Sequence, residues 1–266
     1  MIPAAGGRWT DLKTRVISAL VMLAIGGGDL WLGGRPFTAL VVVLTGLMIW
    51  ELATITARNM PQTAVGLAII GGAALLAVVL IEGQFRPAVL AIPVIALAIT
   101  PRRDAWLAAA YGAAILLAGY GLITLRANGG TPAILWLISV VIVSDVMGYF
   151  AGRILGGPKF WPAISPKKTW SGTIAGWIGA FLVGVGFVVA GSAGWGLVVL
   201  SPFIAFAGQL GDIVESWIKR RTGVKDSSRL IPGHGGVLDR FDALIGAVVA
   251  LVVLGLILPL PMPAGN

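Results

Sequence analysis

Residues 211–242, GDIVESWIKRRTGVKDSSRLIPGHGGVLDRFD, are the polar centre around which this apolar chain is arranged. They contain five of the eleven carboxylates, six of the nineteen basic residues and the only histidine, His234. The stretch follows one long apolar run and leads into the last one. So many charged groups are costly inside a bilayer. We therefore expect the stretch to lie at the membrane surface and to carry the chemistry.

The composition of the 266-residue chain indicates an integral membrane protein. Hydrophobic residues make up 58%, charged residues 11%, and the mean hydropathy is +0.95, whereas about a quarter of the residues in soluble domains are charged. The apolar residues form runs of about 20, as in membrane-spanning helices, rather than the short alternating strands of an outer-membrane barrel. The predicted fold is therefore all-α, a polytopic transmembrane helical bundle.

The charge and the cysteine count exclude several classes of function. The net charge is +8, but basic residues between spans orient a membrane protein, so no nucleic-acid partner is predicted. The chain has no cysteine. This excludes disulfides, thiolate metal ligands and thiol catalysis.

Nine spans agree best with the positions of Lys and Arg, because cytoplasmic loops carry an excess of these residues. With a cytoplasmic N-terminus and a retained first span, sixteen Lys and Arg residues fall inside and three outside. Omitting the short fourth run leaves at best fourteen against five. The candidate spans are Val16–Trp31, Phe37–Thr56, Thr63–Ile81, Pro87–Ile99, Ala105–Leu125, Pro132–Leu155, Trp170–Ala190, Gly194–Leu210 with its extension, and Phe241–Leu260.

The spans form one continuous membrane domain with two parts. Residues 1–140 contribute N-terminal transmembrane helices, and residues 141–266 contribute C-terminal helices with two polar loops that the charge distribution places in the cytoplasm. The first loop is 153–171, and the second is the stretch 211–242. No internal repeat is visible, which disfavours a transporter built from inverted halves.

Two acids lie within apolar runs. Asp145 is in the sixth run, where a carboxylate is costly unless it faces a cavity or a partner. We expect it to face a cavity, although an ion pair with Arg153 is the structural alternative. Glu51, beside Trp50 in the second run, is equally compatible with a functional position and with an interfacial one.

The sequence SPKKT, residues 165–169, precedes a glycine-rich helix start. Free backbone N–H groups at a helix N-terminus and nearby lysines are suited to phosphate. Lys167 and Lys168 are equally explained as topogenic charge, and Thr169 or Ser171 as a helix cap.

The eighth run is predicted to continue as a helix from Gly194 to Arg221 and to end at Gly223. Asp212, Glu215 and Lys219 then share one face, at spacings of three and four residues. Glu215 and Lys219 have the spacing of an ordinary salt bridge within a helix. Asp212 has no such partner, which makes it the better functional candidate.

The loop after Gly223 contains PGHGG, residues 232–236. Glycines let a backbone approach a ligand, as they do where N–H groups surround an anion. The same pattern is also an ordinary turn. His234 is correspondingly a phosphate contact, a proton shuttle or a hydrogen-bonded loop residue.

Asp239 and Asp242 are the sharpest signal in the chain. They lie three residues apart at the start of the last span, so both carboxylates project from one side of its first turn. One acid there is explained by the helix dipole, but two, with Asp212 and surrounding cations, exceed that need. Hard carboxylate oxygens at a membrane surface suit Mg²⁺, which takes one or two carboxylates together with substrate phosphates.

The pattern in residues 216–242 resembles the signature of the phosphatidate cytidylyltransferases, also called CDP-diacylglycerol synthases. Upstream, the segments 144–153 and 165–172 are also similar to the family. Ser171 departs from the Glu or Gln of many members, and no role is assigned to it. The signature residues are Ser216, Ile218, Lys219, Arg220, Lys225, Asp226, Ser228, Ile231, Pro232, His234, Gly235, Gly236, Val237, Asp239, Arg240, Phe241 and Asp242.

The resemblance implies an enzyme that converts CTP and phosphatidate to CDP-diacylglycerol and pyrophosphate. It further implies Mg²⁺, with a second cation in the same carboxylate cluster, and a homodimer. The implied location is a bacterial-type inner membrane, crossed several times, with the active site facing the cytoplasm.

Each candidate site residue has an expected role. Asp212, Asp239 and Asp242 are expected to bind metal, directly or through water. Asp145 and Asp226 are expected to orient the cations around the substrates. The lysines and arginines are expected to contact phosphate, and His234 to contact phosphate or to donate a proton to pyrophosphate. The catalytic group is Lys219, Arg220, Lys225, His234 and Arg240. The substrate-binding group is Asp145, Ser165, Lys167, Lys168, Thr169 and Asp226.

Two other functions remain open from the residues. A CTP-dependent kinase acting on a polyprenol-type lipid alcohol needs similar cations but transfers the γ-phosphoryl group. A membrane transporter also explains Asp145 and a cation-rich mouth. It predicts solute flux without a covalent product.

Overall fold

The computed structural model describes residues 6–263, with side chains from residue 13 onward. Eight α-helices and one short β-hairpin account for most of this part of the chain. The elements are α1 Gly6–Leu32, α2 Gly34–Thr56, α3 Pro61–Leu80, α4 Ala91–Ile99 after a 3₁₀ turn Arg86–Leu90, α5 Ala105–Ile154, β1 Lys159–Trp161, β2 Ser165–Thr169, α6 Trp170–Val189, α7 Gly196–Thr222 and α8 Leu238–Gly255.

Six of the described helices are long and apolar enough to cross a membrane, namely α1 from Lys13, α2, α3, α5, α6 and α7. Large apolar side chains lie on the outer surface of the bundle, such as Leu23 at 68% exposure and Phe203 at 64%. Such a surface is stable where lipid tails cover it, because the tails are as apolar as the side chains. The expectation of an all-α membrane bundle is confirmed.

Two predicted spans are the halves of one kinked helix. Helix α5 has 50 residues, a length of about 75 Å, against the ~30 Å thickness of a hydrocarbon core. Gly130 has φ 64° and ψ −161° inside this helix, two residues before Pro132. Glycine tolerates the positive φ, and proline lacks the N–H that would continue the hydrogen bonding. The break expected between Leu125 and Pro132 is therefore a kink.

Two groups of polar contacts join the ends of the helices. In the first, the Arg58 guanidinium donates to the Thr222 carbonyl at 3.1 Å, and Arg221 pairs with Asp104 at 2.7 Å. In the second, the Arg126 side chain packs against Gly33. Helix α2 and the first half of α5 run from one group to the other. The polar loop 223–237 follows α7 at the first end.

The first polar loop contains a β-hairpin that the sequence did not indicate. Strands β1 and β2 are antiparallel, with Lys159 opposite Thr169 and Trp161 opposite Ser165. The Trp170 amide donates to the Pro158 carbonyl at 3.0 Å, which closes the hairpin onto the start of α6. The hairpin therefore positions the lysines of SPKKT beside the helices.

Small residues let α7 and α8 approach closely. A Cβ atom on Gly211 would overlap the Asp242 carbonyl and the backbone of Gly246. Glycine at such contacts allows helix backbones to pack directly against each other in a membrane. This packing places Asp212 on α7 beside the turn of α8 that carries Asp242.

Candidate active site

A cavity of about 430 Å³ lies between α5, the hairpin, α6 and α7. We call it the Lys168 cavity. Five of the predicted site residues line it, which brings together segments separated by up to 67 positions in the chain. They are Asp145, Lys167, Lys168, Thr169 and Asp212.

Lys168 connects the hairpin to α7 inside this cavity. Its Nζ atom lies 2.6 Å from Asp212 Oδ2 and donates to the Gln209 carbonyl at 3.1 Å. The Ser216 hydroxyl donates to the other oxygen, Asp212 Oδ1, at 3.2 Å. The side chains of Lys168 and Asp212 are 24% and 33% exposed. The pair is therefore accessible to an anionic substrate.

Thr169 caps α6. Its hydroxyl accepts a hydrogen bond from the Gly172 amide at 3.2 Å and lies 3.0 Å from the Ser171 hydroxyl, which in turn donates to the Gly156 carbonyl. The expectation of a Thr cap is confirmed. Lys167 is exposed and lines the cavity mouth, and Ser165 is half-buried in β2.

Gln209 organises the inner wall of the cavity, and sequence reasoning missed it. Its side-chain nitrogen donates to the Ser144 hydroxyl and to the Thr173 carbonyl, both at 3.3 Å. Its side-chain oxygen accepts from Trp177 Nε1 at 3.1 Å. A single amide in the apolar first part of α7 is the signal that would have indicated it, because a polar group there needs partners from neighbouring helices.

Lys219 lies between two carboxylates. Its Nζ atom is 2.5 Å from Glu215 Oε2 and 2.6 Å from Asp239 Oδ1, and the lysine side chain is 12% exposed. The predicted salt bridge between Glu215 and Lys219 is confirmed. The second contact is between helices and ties α7 to the first turn of α8.

Asp239 also holds the loop that precedes α8. Its Oδ2 atom accepts from the backbone amides of Ser227 at 2.9 Å and Gly236 at 2.7 Å, and it lies 3.0 Å from the Ser227 hydroxyl. The glycine of the PGHGG turn at position 235 has φ 83°, which an L side chain rarely adopts, and a Cβ there would overlap Asp239. In the described structure the glycines thus bring backbone close to a protein carboxylate.

Asp242 has a smaller set of protein partners. Its Oδ1 atom accepts from the Ala243 amide at 2.7 Å, and no ion pair involves it in the described part of the chain. Within the residues whose side chains are described, 13–263, no group of three or more His, Asp or Glu residues is arranged like a metal-ligand set. Asp212 and Asp242 lie on the two helices that meet at the close contact of Gly211 with Gly246.

The remaining candidates form an exposed rim. Arg220, Lys225, Asp226 and Arg240 are exposed, and none of them has an ion pair among residues 13–263. His234 lies in the turn closed by the bridge between Ile231 and Gly235, and its buried Nδ1 atom has no hydrogen-bond partner among the described residues. Asp145 is exposed toward the cavity, and Arg153 donates instead to the Tyr149 hydroxyl at 2.6 Å.

Glu51 is the second residue whose position the sequence left open. It is fully buried, and its carboxylate accepts hydrogen bonds from residues 227–238, at the opposite end of the sequence. A glutamate in the apolar run LMIWELAT was the available signal, since an acid in a membrane helix needs a polar partner. The partner was not readable, because it lies more than 170 positions away.

The arrangement is suited to phosphate chemistry at a membrane surface. Lysines from the hairpin and α7 and carboxylates from α7 and α8 lie at one end of an apolar bundle. The exposed basic residues Arg220, Lys225 and Arg240 belong to the same polar stretch. Cations neutralise phosphate charge, and paired carboxylates can hold a hard divalent metal. No side chain of this site is arranged as an activated nucleophile of the serine or cysteine type.

Comparison with known proteins identifies the family. The model of the cytidylyltransferase family matches residues 13–258. The chain is 37% identical to the phosphatidate cytidylyltransferase of Brucella abortus biovar 1, over 95% of this chain and 96% of that protein. It is 43% identical to the phosphatidate cytidylyltransferase of Staphylococcus saprophyticus, over 47% and 49% of the two chains. The corresponding Helicobacter pylori J99 protein is 44% identical, over 47% of each. The matched region includes the whole candidate site, and the chain therefore belongs to the cytidylyltransferase family.

Proposed function

We propose that this chain is a phosphatidate cytidylyltransferase, which transfers the cytidylyl group of CTP to phosphatidate and releases pyrophosphate. The observation that carries the proposal is the Lys168–Asp212 pair in a cavity at the polar end of a membrane bundle of this family. The lipid substrate explains why the site is built into membrane helices. Its phosphate lies at the depth where these polar groups lie.

The chemistry of phosphatidate agrees with the absence of a nucleophilic residue from the site. A phosphate monoester carries about −1.5 to −2 charges near pH 7. One of its oxygens attacks the α-phosphorus of CTP, and the bond from that phosphorus to the pyrophosphate oxygen breaks. The enzyme must bring two anions together, hold them in line and stabilise the leaving pyrophosphate.

The basic residues have different roles according to their positions in the site. Lys167 and Lys168 bind phosphate in the cavity, with Ser165 and Thr169 supporting the hairpin that carries them. Asp145 and Asp226 orient the cations and the bound nucleotide. The basic groups of the catalytic set, which neutralise the triphosphate and the leaving pyrophosphate, are Lys219, Arg220, Lys225, His234 and Arg240.

The carboxylates fit Mg²⁺ to different degrees. Asp212 and Asp242 lie on adjacent helices, and each has an oxygen with lone pairs beyond its protein contacts, as a hard cation requires. Asp239 is bound to Lys219, Ser227 and Gly236, so it would contribute through the remaining lone pair of Oδ1 or through a water molecule. The bound metal would supply charge neutralisation of the phosphates, and a second cation would extend it.

The membrane arrangement that we propose has nine spans with the polar end in the cytoplasm, where CTP is available. The six long helices count as seven crossings when α5 is divided at its kink, and α4 with its preceding turn and α8 complete the nine. The charge split of sixteen to three supports this orientation. The membrane is the bacterial inner membrane, and the assembly is a homodimer by family resemblance.

Product analysis tests the proposed reaction. Purified protein in detergent is supplied with CTP, phosphatidate and Mg²⁺, and lipids and phosphates are quantified separately. We expect CDP-diacylglycerol and pyrophosphate in equal amounts, and neither when phosphatidate is omitted. A phosphorylated lipid alcohol with CDP as co-product would instead establish a kinase. Solute flux in sealed vesicles without any covalent product would establish a transporter.

A further inference from the structure

The carboxylate of Glu51 is enclosed by the segment that precedes α8. Oε1 accepts from the Ser228 hydroxyl at 2.6 Å and from the Val237 amide at 2.9 Å. Oε2 accepts from the Leu238 amide at 2.6 Å and lies 3.1 Å from the Ser227 hydroxyl. Each oxygen therefore has one backbone and one hydroxyl partner. Glu51 itself is 0% exposed.

Glu51 acts as the N-terminal cap of α8, although it belongs to α2. The cap position of α8, Val237, has no side-chain hydrogen bond of its own to the helix amides. The first amides of a helix lack partners within it, and a negative charge near them is favourable. A carboxylate from another helix supplies both the acceptors and the charge.

The contacts of Glu51 join those of Asp239 through Ser227. The Ser227 hydroxyl lies within hydrogen-bond distance of both carboxylates, and it has one proton to donate. The amides of Gly236, Val237 and Leu238 donate in sequence to Asp239 and Glu51. Two carboxylates thus occupy the amides at which an anion would otherwise bind.

The segment that precedes α8 is packed closely around Glu51. A Cβ atom on Gly236 would overlap Ser227 Oγ and Glu51 Oε1. Val237 and Leu238 are 4% and 0% exposed. The direction of the first turn of α8 is consequently set by a residue of the N-terminal half of the chain.

We propose that Glu51 is a positioning residue for the transfer reaction, which fixes the first turn of α8 so that Asp242 faces Asp212 and Asp239 faces Lys219. The inference rests on the proposed function. It assigns no contact between Glu51 and substrate or metal. Its effect passes through the amides of Val237 and Leu238 and through the two serines.

The kinetic test compares Glu51→Gln and Glu51→Asp with a matched control, Thr45→Val. Gln replaces one acceptor oxygen by an N–H donor that faces protein donors, whereas Asp keeps the charge on a side chain shorter by about 1.5 Å. Thr45 is equally buried in α2 and its hydroxyl has no partner among the described residues. The measurement is the rate of CDP-lipid formation against Mg²⁺ concentration, normalised to folded protein in the membrane.

We expect Glu51→Gln to raise the Mg²⁺ concentration for half-maximal rate about tenfold or more, the scale found when groups that orient metal ligands are removed. Glu51→Asp should recover part of that loss, and Thr45→Val should stay within about twofold of the wild type. A Glu51→Gln protein that loses thermal stability but keeps the wild-type Mg²⁺ dependence would overturn the proposal, because it would show a merely structural role.

A labelling test is independent of activity. A cysteine replacing the buried Val237 in this cysteine-free chain should be protected from a maleimide in the wild-type background and modified at least about tenfold faster with Glu51→Gln, since the release of the loop exposes it. A cysteine replacing the exposed Arg229 should react equally in both. Equal protection of position 237 in both backgrounds would contradict the proposal. If the wild type makes no CDP-lipid, the proposed function fails, and the labelling still decides whether Glu51 fixes the loop.

Discussion

Asp239 and Asp242 lie three residues apart, yet their carboxylates have different surroundings. Asp239 accepts from Lys219 and from two backbone amides, whereas among residues 13–263 Asp242 accepts only from the Ala243 amide. A helix cap and a metal ligand make different demands on these side chains. Asn still accepts a hydrogen bond as a cap, but it has lost the negative charge that holds a divalent cation.

The first prediction concerns Asp242. Changing Asp242→Asn should lower turnover by about 100-fold or more while leaving the protein folded and inserted, because a full charge leaves the proposed metal site. Raising Mg²⁺ should recover part of the rate by mass action. The measurement is CDP-lipid formation at limiting and at saturating Mg²⁺. Glu82→Gln, at an exposed acid outside the site, is the matched control. Near-normal turnover of Asp242→Asn at limiting Mg²⁺ would show that it is only a cap.

The second prediction concerns Lys168. Its ammonium group lies 2.6 Å from Asp212 in the cavity, so Lys168→Gln should weaken substrate binding and leave Asp212 unpaired. We expect kcat/KM for CTP to fall about 10-fold to 100-fold, which corresponds to one charge-assisted contact. Steady-state kinetics measure this, with the exposed Lys159→Gln of β1 as control. Equal kinetics of the two variants would remove Lys168 from the site.

At the scale of single residues, the sequence indicated the polar groups but not their pairings. Asp212, Asp239 and Asp242 were selected as candidates because they are charged residues in an apolar chain and because of their spacing along the helices. The contact between Lys219 and Asp239 and the contacts of Glu51 depend on how three helices pack, which spacing does not encode. Gln209 was missed because it carries no charge and because its partners lie on α5 and α6, so that its role depends on how the helices pack.

At the scale of elements, the apolar runs predicted the helices well. Helix α7 was expected from Gly194 to Arg221 and extends from Gly196 to Thr222, and Gly223 follows it as the C-cap with φ 74°. The kink of α5 and the hairpin could not be predicted from the apolar runs. A glycine and a proline near position 130 indicate an interruption without distinguishing a loop from a bend. The short strands of the hairpin have no alternating apolar pattern.

The third prediction concerns the connection between α5 and α7. Arg221 donates twice to Asp104, at 2.8 and 2.7 Å, and this hydrogen bonding lowers the pKa of Asp104 below its ordinary value. A lowered pKa in the folded state means that the pair adds stability above the ordinary Asp pKa of about 3.9 and loses it as the pH falls through the folded value. Arg221→Gln should therefore cause a small decrease in the thermal midpoint at pH 7 and none at strongly acid pH.

The control for this prediction is Asp104→Asn. Asp104 has φ 56°, a conformation that Asn also adopts readily, so this substitution removes charge without adding backbone strain. In the double variant, Arg221→Gln should have almost no further effect on the thermal midpoint. Additive losses would mean that the two residues act independently.

At the scale of the whole molecule, the candidate site lies at one end of the bundle, which we call the polar end. The contacts of Arg58 with Thr222 and of Arg221 with Asp104 lie at the polar end, together with both chemistry-bearing loops. Composition was sufficient to predict the membrane bundle, since 58% hydrophobic and 11% charged residues lie far from the composition of soluble domains. The number of spans rested on the distribution of charge in the loops.

The fourth prediction concerns orientation. Two exposed positions are suited to single cysteines in this cysteine-free chain. They are Arg229, in the loop before α8, and Gly194, between α6 and α7. In intact cells an impermeant maleimide should label position 194 and not position 229. After the membrane is opened, both should react. Labelling of position 229 alone in intact cells would reverse the proposed orientation.

The most direct test of the central claim follows the phosphorus atoms of CTP. Purified protein is given phosphatidate, Mg²⁺ and CTP labelled at either the α or the γ phosphorus, and the lipid extract is counted, with Asp242→Asn as the background. Cytidylyl transfer predicts that the α label enters the lipid and that the γ label leaves in pyrophosphate. Entry of the γ label into lipid, or no transfer of either label by folded wild-type protein, would contradict the account.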